Sequence, residues 1–245
     1  MNNSLPGTDH SAILEVRSAR VSYGDHVVLD GVDLSVWVGE TLLIAGPNGC
    51  GKSTFLKTVM GELPLDAGEI NFLGRSLGAR STEWRTRSGM GYLRQTDNVF
   101  PSLTVKENLQ LAGLALPRQE RRMARRAVLD IFAPLKERLS DRAGVLSGGL
   151  RQALALAMVF MRPQRLYLLD EPTAGLSPKS AADILGTVRE YALVHPQCAV
   201  IMVEHRLDLL PWVSRTVFFG QGRVLGETTD ISRLQDPKWV AKHFF

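Results

Sequence analysis

The chain has 245 residues, 44% hydrophobic and 22% charged, and a formal net charge of +4. That balance suits a globular domain with a full-sized core and excludes a disordered chain; two cysteines exclude a disulfide-stapled miniprotein and suit a reducing compartment. So mild a positive charge fits a nucleotide site or a membrane-surface neighbour and does not call for nucleic acid.

Residues 1–11 are polar, lack the apolar core of a signal peptide and read as a flexible tail. Residues 13–23 alternate loosely and predict a strand; residues 27–37 predict short strands broken at Asp30-Gly31. Residues 42–45 form an apolar run that reads as a buried strand, and residues 53–60 read as a helix. A turn at residues 65–68 precedes a strand over 69–73, and residues 91–93 predict another short strand. From residue 105 to 157 the pattern changes to a 3.6-residue period, with helices expected over 106–111, 119–135 and 149–161. The basic run from Arg118 to Arg126 spreads around such a helix and reads as a solvated face. No apolar run approaches the roughly 20 residues of a membrane helix. Strand character returns over 166–169 and 199–203, and Ser177-Pro178 opens a helix between them as cap and first-turn proline. Strands alternating with helices predict an α/β domain, its parallel sheet covered on both faces, with a helical insertion over about 96–157.

The strand at 42–45 runs directly into Gly46-Pro47-Asn48-Gly49-Cys50-Gly51-Lys52-Ser53-Thr54 and then a helix. Strand, glycine-rich turn and helix make G-x-x-x-x-G-K-[ST] a phosphate-binding loop. The glycines bring backbone N–H groups close to phosphate oxygens, and the helix N-terminus adds partial positive charge. Lys52 is expected to reach the β- and γ-phosphates and the Ser53 hydroxyl to hold Mg²⁺. Cys50 reads as a small filler, with thiol reactivity as the alternative.

A second apolar strand ends in Asp170-Glu171-Pro172. Beside a phosphate loop, Asp170 suits an anionic Mg²⁺ contact and Glu171 is the candidate general base for water, the two facing opposite ways as strand neighbours. Ser147-Gly148-Gly149, opening a helix, is either a second anion site or a simple cap.

In this order these pieces resemble the ATP-binding-cassette ATPases, and the resemblance covers nearly the whole chain. It implies a P-loop α/β fold with a parallel sheet core, an antiparallel β subdomain and an α-helical subdomain. It also implies that two cassettes sandwich ATP and Mg²⁺, with Ser147, Gly148 and Gly149 touching the γ-phosphate held by the opposite subunit. Within that resemblance Tyr23 matches the aromatic that stacks on adenine, and Gln95 the glutamine that senses Mg²⁺ and the membrane partner. His205 matches the switch histidine at the γ-phosphate, and residues 174–177 the loop that crosses between cassettes. Leu150, Ser177 and Cys50 stand where Glu or Gln, Asp, and Ala or Ser are usual.

Residues 132–138, 142–149, 174–178 and 236–245 are similar to the ATPase subunits of branched-chain amino-acid importers, whose relatives carry urea and amides. The lipopolysaccharide-export ATPase is a near cousin, and soluble non-transport cassettes are a further alternative. The expected partners are a second ATPase subunit, transmembrane permease subunits and, indirectly, an extracytoplasmic solute-binding protein. The expected place is the cytoplasmic face of the inner membrane, with docking near Gln95, Phe100 and Leu103.

Overall fold

A computed structural model describes residues 12–205, 211–230, 232, 236, 238 and 239. The expected tail at 1–11 and most of the terminal segment 236–245 lie outside the described residues. In chain order the elements are β1 (Ala12–Tyr23), β2 (His26–Trp37), β3 (Thr41–Ala45), α1 (Lys52–Met60), β4 (Ala67–Phe72), β5 (Arg75–Ser76), α2 (Thr82–Arg87) and β6 (Met90–Leu93). The helices α3 (Val105–Ala112), α4 (Arg118–Ile131) and α5 (Gly148–Phe160) follow. Then come β7 (Leu166–Asp170), α6 (Pro178–Val194), β8 (Ala199–Val203), β9 (Arg215–Gly220) and β10 (Arg223–Thr228).

The strands form two sheets, a six-stranded one in the order β10-β9-β3-β8-β7-β6 and a four-stranded one in the order β2-β1-β4-β5. From β9 to β6 the large sheet is parallel, and β10 closes its edge antiparallel. The small sheet is antiparallel throughout. β3, β7 and β8 are buried at every position, which is why they read as unbroken apolar runs: both faces of a parallel sheet are covered. Alternate residues feed two cores. Leu42, Ile44, Leu168 and Ile201 pack with α1 and the small sheet. Leu43, Leu169 and Met202 pack with α3 to α6.

The two sheets are joined through Arg215 on β9. Its Nε donates to Glu40 Oε1 at 2.7 Å, a guanidinium nitrogen donates to Ser35 O on β2 at 2.6 Å, and its Cζ lies 4.6 Å from the Trp37 ring centroid. On the helical side, buried Asn108 donates to the carbonyls of Phe100, Leu103 and Thr104 and accepts from Phe100 N–H, fastening the loop after Gln95 onto α3.

Several expected elements change. Residues 27–37 are one strand, because Gly31 at φ +76° lets a register shift pass without ending the pairing. The helix expected over 119–135 stops at Ile131, and a 3₁₀ helix, Ala133–Arg138, carries Pro134 in its first turn. Proline there cannot donate back into an α-helix. α2, β5, β9 and β10 were not anticipated.

Candidate active site

Lys52 is 5% exposed, and its Nζ donates to the carbonyls of Gly46 (2.8 Å) and Pro47 (2.9 Å). The ammonium is thus held within the turn it closes, and its third, weak contact, 4.0 Å to Cys50 Sγ, is one a phosphate oxygen can replace. Gly51, the N-cap of α1, sits at φ +105° and offers no capping side chain, so the first N–H groups of α1 face the loop. A Cβ on Gly46 would lie 2.3 Å from Phe219 O, so β9 packs directly under the loop and admits only glycine there. Cys50 is 6% exposed, and burial pushes its thiol up more than Lys52 pulls it down. This favours the small-filler reading over a reactive thiolate.

Ser53 Oγ donates to Asp170 Oδ1 at 3.0 Å, so the start of α1 meets the end of β7. Asp170 is 1% exposed. Burial holds its carboxyl above the usual range; the Ser53 hydrogen bond opposes this, the Glu171 charge adds to it, and Lys57 and Lys52 oppose it. The Tyr92 hydroxyl is buried beside Asp170, and burial and then the Asp170 charge push its pKa up. A hydroxyl and an under-neutralised carboxyl fit a hard divalent cation bound through one carboxylate plus phosphates. Among the described residues no group of three His, Cys, Asp or Glu side chains forms a self-sufficient metal cage.

Glu171 does diverge from Asp170, but not through strand alternation. β7 ends at Asp170, and Glu171 takes a left-handed backbone at φ +47°. Its Oε2 accepts from Gln95 Nε2 at 2.9 Å, and its Oε1 lies 3.0 Å from His205 Nε2. Three residues chosen from separate stretches of sequence therefore meet around one carboxylate. Gln95 is turned to Glu171 rather than to Asp170.

Ser147 is the N-cap of α5, its oxygen accepting from Leu150 N–H at 3.4 Å. Gly149 packs on α6, where a Cβ would lie 3.2 Å from Ser180. Gly148 faces Leu176 of the crossing loop, and Ser177 caps α6 by accepting from Ser180 N–H. Leu150 is half-buried against the helical core, so an apolar side chain is accommodated there. Tyr23 is half-exposed at the tip of the β1–β2 hairpin, and β2 touches the loop where Gly51 approaches Leu29.

Glu204 was not anticipated. It is 3% exposed, and its Oε1 accepts from Thr173 N–H (2.8 Å) and Thr173 Oγ1 (2.6 Å) while its Oε2 accepts from His205 N–H (3.1 Å). Only its position, one residue before His205, hinted at it.

Together the parallel sheet, the loop after β3 and the carboxylates after β7 define a P-loop nucleotide-hydrolase domain. Residues 29–174 match the family described as ABC transporter, and the chain belongs to that family. It is an ATP-hydrolysing subunit of an ABC transporter. It is similar to a probable branched-chain amino acid transport ATP-binding protein, LivF, of Archaeoglobus fulgidus, at 40% identity over 66% of this chain and 69% of the relative. Similarity to the high-affinity branched-chain amino acid transport ATP-binding protein BraG of Pseudomonas aeruginosa is 32% over 88% of this chain and 92% of the relative. A Nod factor export ATP-binding protein I of Cupriavidus metallidurans is 36% identical over 69% of this chain and 56% of the relative. Among solved structures, the ADP conformation of MJ1267, an ATP-binding cassette of an ABC transporter, superposes with a TM-score of 0.83 at 28% identity, covering 94% of this chain and 98% of that one. No helix of the described residues is long and apolar enough to cross a membrane.

Proposed function

We propose that this chain is the ATPase subunit of an importer for branched-chain amino acids or a related small polar solute such as urea or an amide. The observation that carries the reading is the similarity to BraG, which runs through most of both chains. The chain would work at the cytoplasmic face of the membrane, with a second cassette and with permease subunits.

In this reading the N–H groups of the 46–54 loop and Lys52 bind the ATP phosphates, and Tyr23 stacks on the base. Ser53 and Asp170 would hold Mg²⁺, which would supply neutralisation of the phosphate charge. Glu171 takes the proton of the attacking water. His205 and Gln95 hold the Glu171 carboxylate from either side and bring its position under the control of the γ-phosphate and the helical segment. Ser147, Gly148 and Gly149 serve the site of the second subunit, with their N–H groups and the α5 N-terminus toward its γ-phosphate. The helical unit spans about residues 96–157, with α5 continuing from it to Phe160.

Docking was expected near Gln95, Phe100 and Leu103, and we propose a neighbouring groove for it. A groove of about 310 Å³ lies between the sheet edge and the helices, lined among others by Tyr92, Arg94, Ala112, Met158 and Val159. Phe100 is 52% exposed and outside that lining, and Leu103 lines a separate cleft against α4. In this reading a short helix of a permease subunit docks in this groove, whose lining includes Arg94, the residue before Gln95.

Nod factor export relatives support an export reading as the alternative. Deleting the chain in its host and measuring uptake of labelled leucine, isoleucine and valine separates the two. Uptake lost on deletion, restored by the wild-type chain and not by Lys52→Ala, is the expected result; unchanged uptake of these solutes and of urea and amides contradicts the import reading.

A further inference from the structure

We infer that Glu204 is a positioning residue for hydrolysis: it ties the turn after Glu171 to the backbone of His205 and so holds the two side chains against each other. The inference rests on the roles just proposed for Glu171 and His205.

The backbone of Glu171 is strained. A left-handed φ of +47° on a residue with a Cβ is disfavoured, and such a conformation persists only where its surroundings over-determine it. Three backbone anchors surround it. Glu171 N–H donates to Val203 O at 3.0 Å, Ala174 N–H donates to Glu171 O at 3.0 Å, and Leu176 N–H donates to Thr173 O at 3.1 Å. The first already ties the end of β7 to the end of β8. Beyond these strand ends, Glu204 joins the two loops through its side chain, alongside the His205–Glu171 contact itself. Thr173 gives it two hydrogen bonds, and the His205 N–H gives it one.

The chemistry of the bridge is one-directional. A carboxylate oxygen only accepts, and all three contacts come from donors, so both oxygens are used without conflict. The side chain is buried, so water cannot replace these bonds when it is removed. The same residue therefore sets the path of the chain on both sides of the 3.0 Å contact between Glu171 Oε1 and His205 Nε2. Glu204 itself touches neither of those side-chain atoms in any hydrogen bond among the described residues. Its effect on the reaction runs through them: a carboxylate displaced by about 1 Å from its water loses on the order of 10²-fold in rate.

Three substitutions divide the bridge. Glu204→Ala removes both arms. Thr173→Val removes one donor of the Thr173 arm and keeps its N–H. Glu204→Gln keeps one accepting oxygen and sets an amide N–H₂ against a donor, so one arm breaks.

The test measures Mg-ATPase kinetics and nucleotide affinity of the full chain for these variants, for His205→Ala and for the Glu204→Ala/His205→Ala pair. Glu204→Ala is expected to lose about tenfold to a hundredfold in kcat, with ATP affinity within about twofold of wild type. Thr173→Val is expected to lose a few-fold, and it decides the matter should Glu204→Ala fail to fold. Because Glu204 acts by holding Glu171 and His205 against each other, the double variant is expected to lose clearly less than the product of the two single losses. Wild-type kcat in Glu204→Ala and Thr173→Val overturns the inference. So does a double variant whose losses multiply, or a kcat loss matched by an equal loss of ATP affinity. A His205→Ala chain with normal turnover instead removes the underlying reading of the site, a result the Glu204 variants alone cannot produce.

Discussion

Asp170 shows what the site costs at the scale of a single residue. Its carboxyl is buried with a serine hydroxyl for a partner and another carboxylate next in sequence, and its pKa lies above the ordinary 3.8. The folded chain therefore binds this proton more tightly than the unfolded chain does. Stability from this group is present below pH 3.8 and is lost as pH rises through the elevated value. Asp170→Asn keeps an oxygen for Ser53 and removes the charge. In metal-free, nucleotide-free buffer at pH 7 the variant is expected to melt a few degrees above wild type, with the gap closing toward acid, while Mg-dependent turnover is lost. Calorimetry across pH checks this; a variant that melts below wild type at pH 7 contradicts the account of a carboxyl waiting for a cation.

At the scale of elements, Arg215 is the buried part of the joint between the two sheets, beside the surface contacts of Asp30 with Gly222 and Arg223. Its side chain and that of Glu40 are both nearly buried, and Glu40 Oε2 also accepts from Trp37 N–H at 2.9 Å. Arg215→Ala would leave the Glu40 carboxylate buried and unpaired, a loss of about 3–5 kcal/mol. Urea unfolding of the variant measures it, and replacing both residues with methionine is expected to recover much of the loss. A single variant within about 0.5 kcal/mol of wild type would show that the pair carries no load. This joint was invisible in the sequence because β9 pairs with β3, about 170 positions away, and a six-residue run such as Arg215–Gly220 has too little periodicity to declare itself. By contrast β3, β7 and β8 were legible, since continuous burial leaves continuous apolar runs. The Ala133–Arg138 break was legible in principle from Pro134, but the apolar residues on either side kept a helical period across it.

At the scale of the whole molecule, the sheet brings the loop after β3, the carboxylates after β7 and the histidine after β8 to the same edge, where parallel strands end together. The site was readable to the extent that its chemistry is local. The phosphate loop is nine consecutive residues, and Asp170-Glu171 ends a strand. Glu204 was not readable, because its partner Thr173 lies 31 positions away and only folding makes them neighbours. The helices from α3 to α5 lie between β6 and β7 in sequence, so Ser147 stands on a separate unit from Lys52. In the proposed reading, that separation lets one chain offer Ser147, Gly148 and Gly149 to another's nucleotide. The central claim is that Glu171 is the base of an ATP site built on Lys52. It is tested most directly by Mg-ATPase turnover and ATP binding of the wild-type chain beside Glu171→Gln. The account predicts that Glu171→Gln binds ATP as tightly as wild type and turns over about 10²–10⁴-fold more slowly; ATP hydrolysis by Glu171→Gln at the wild-type rate would contradict it.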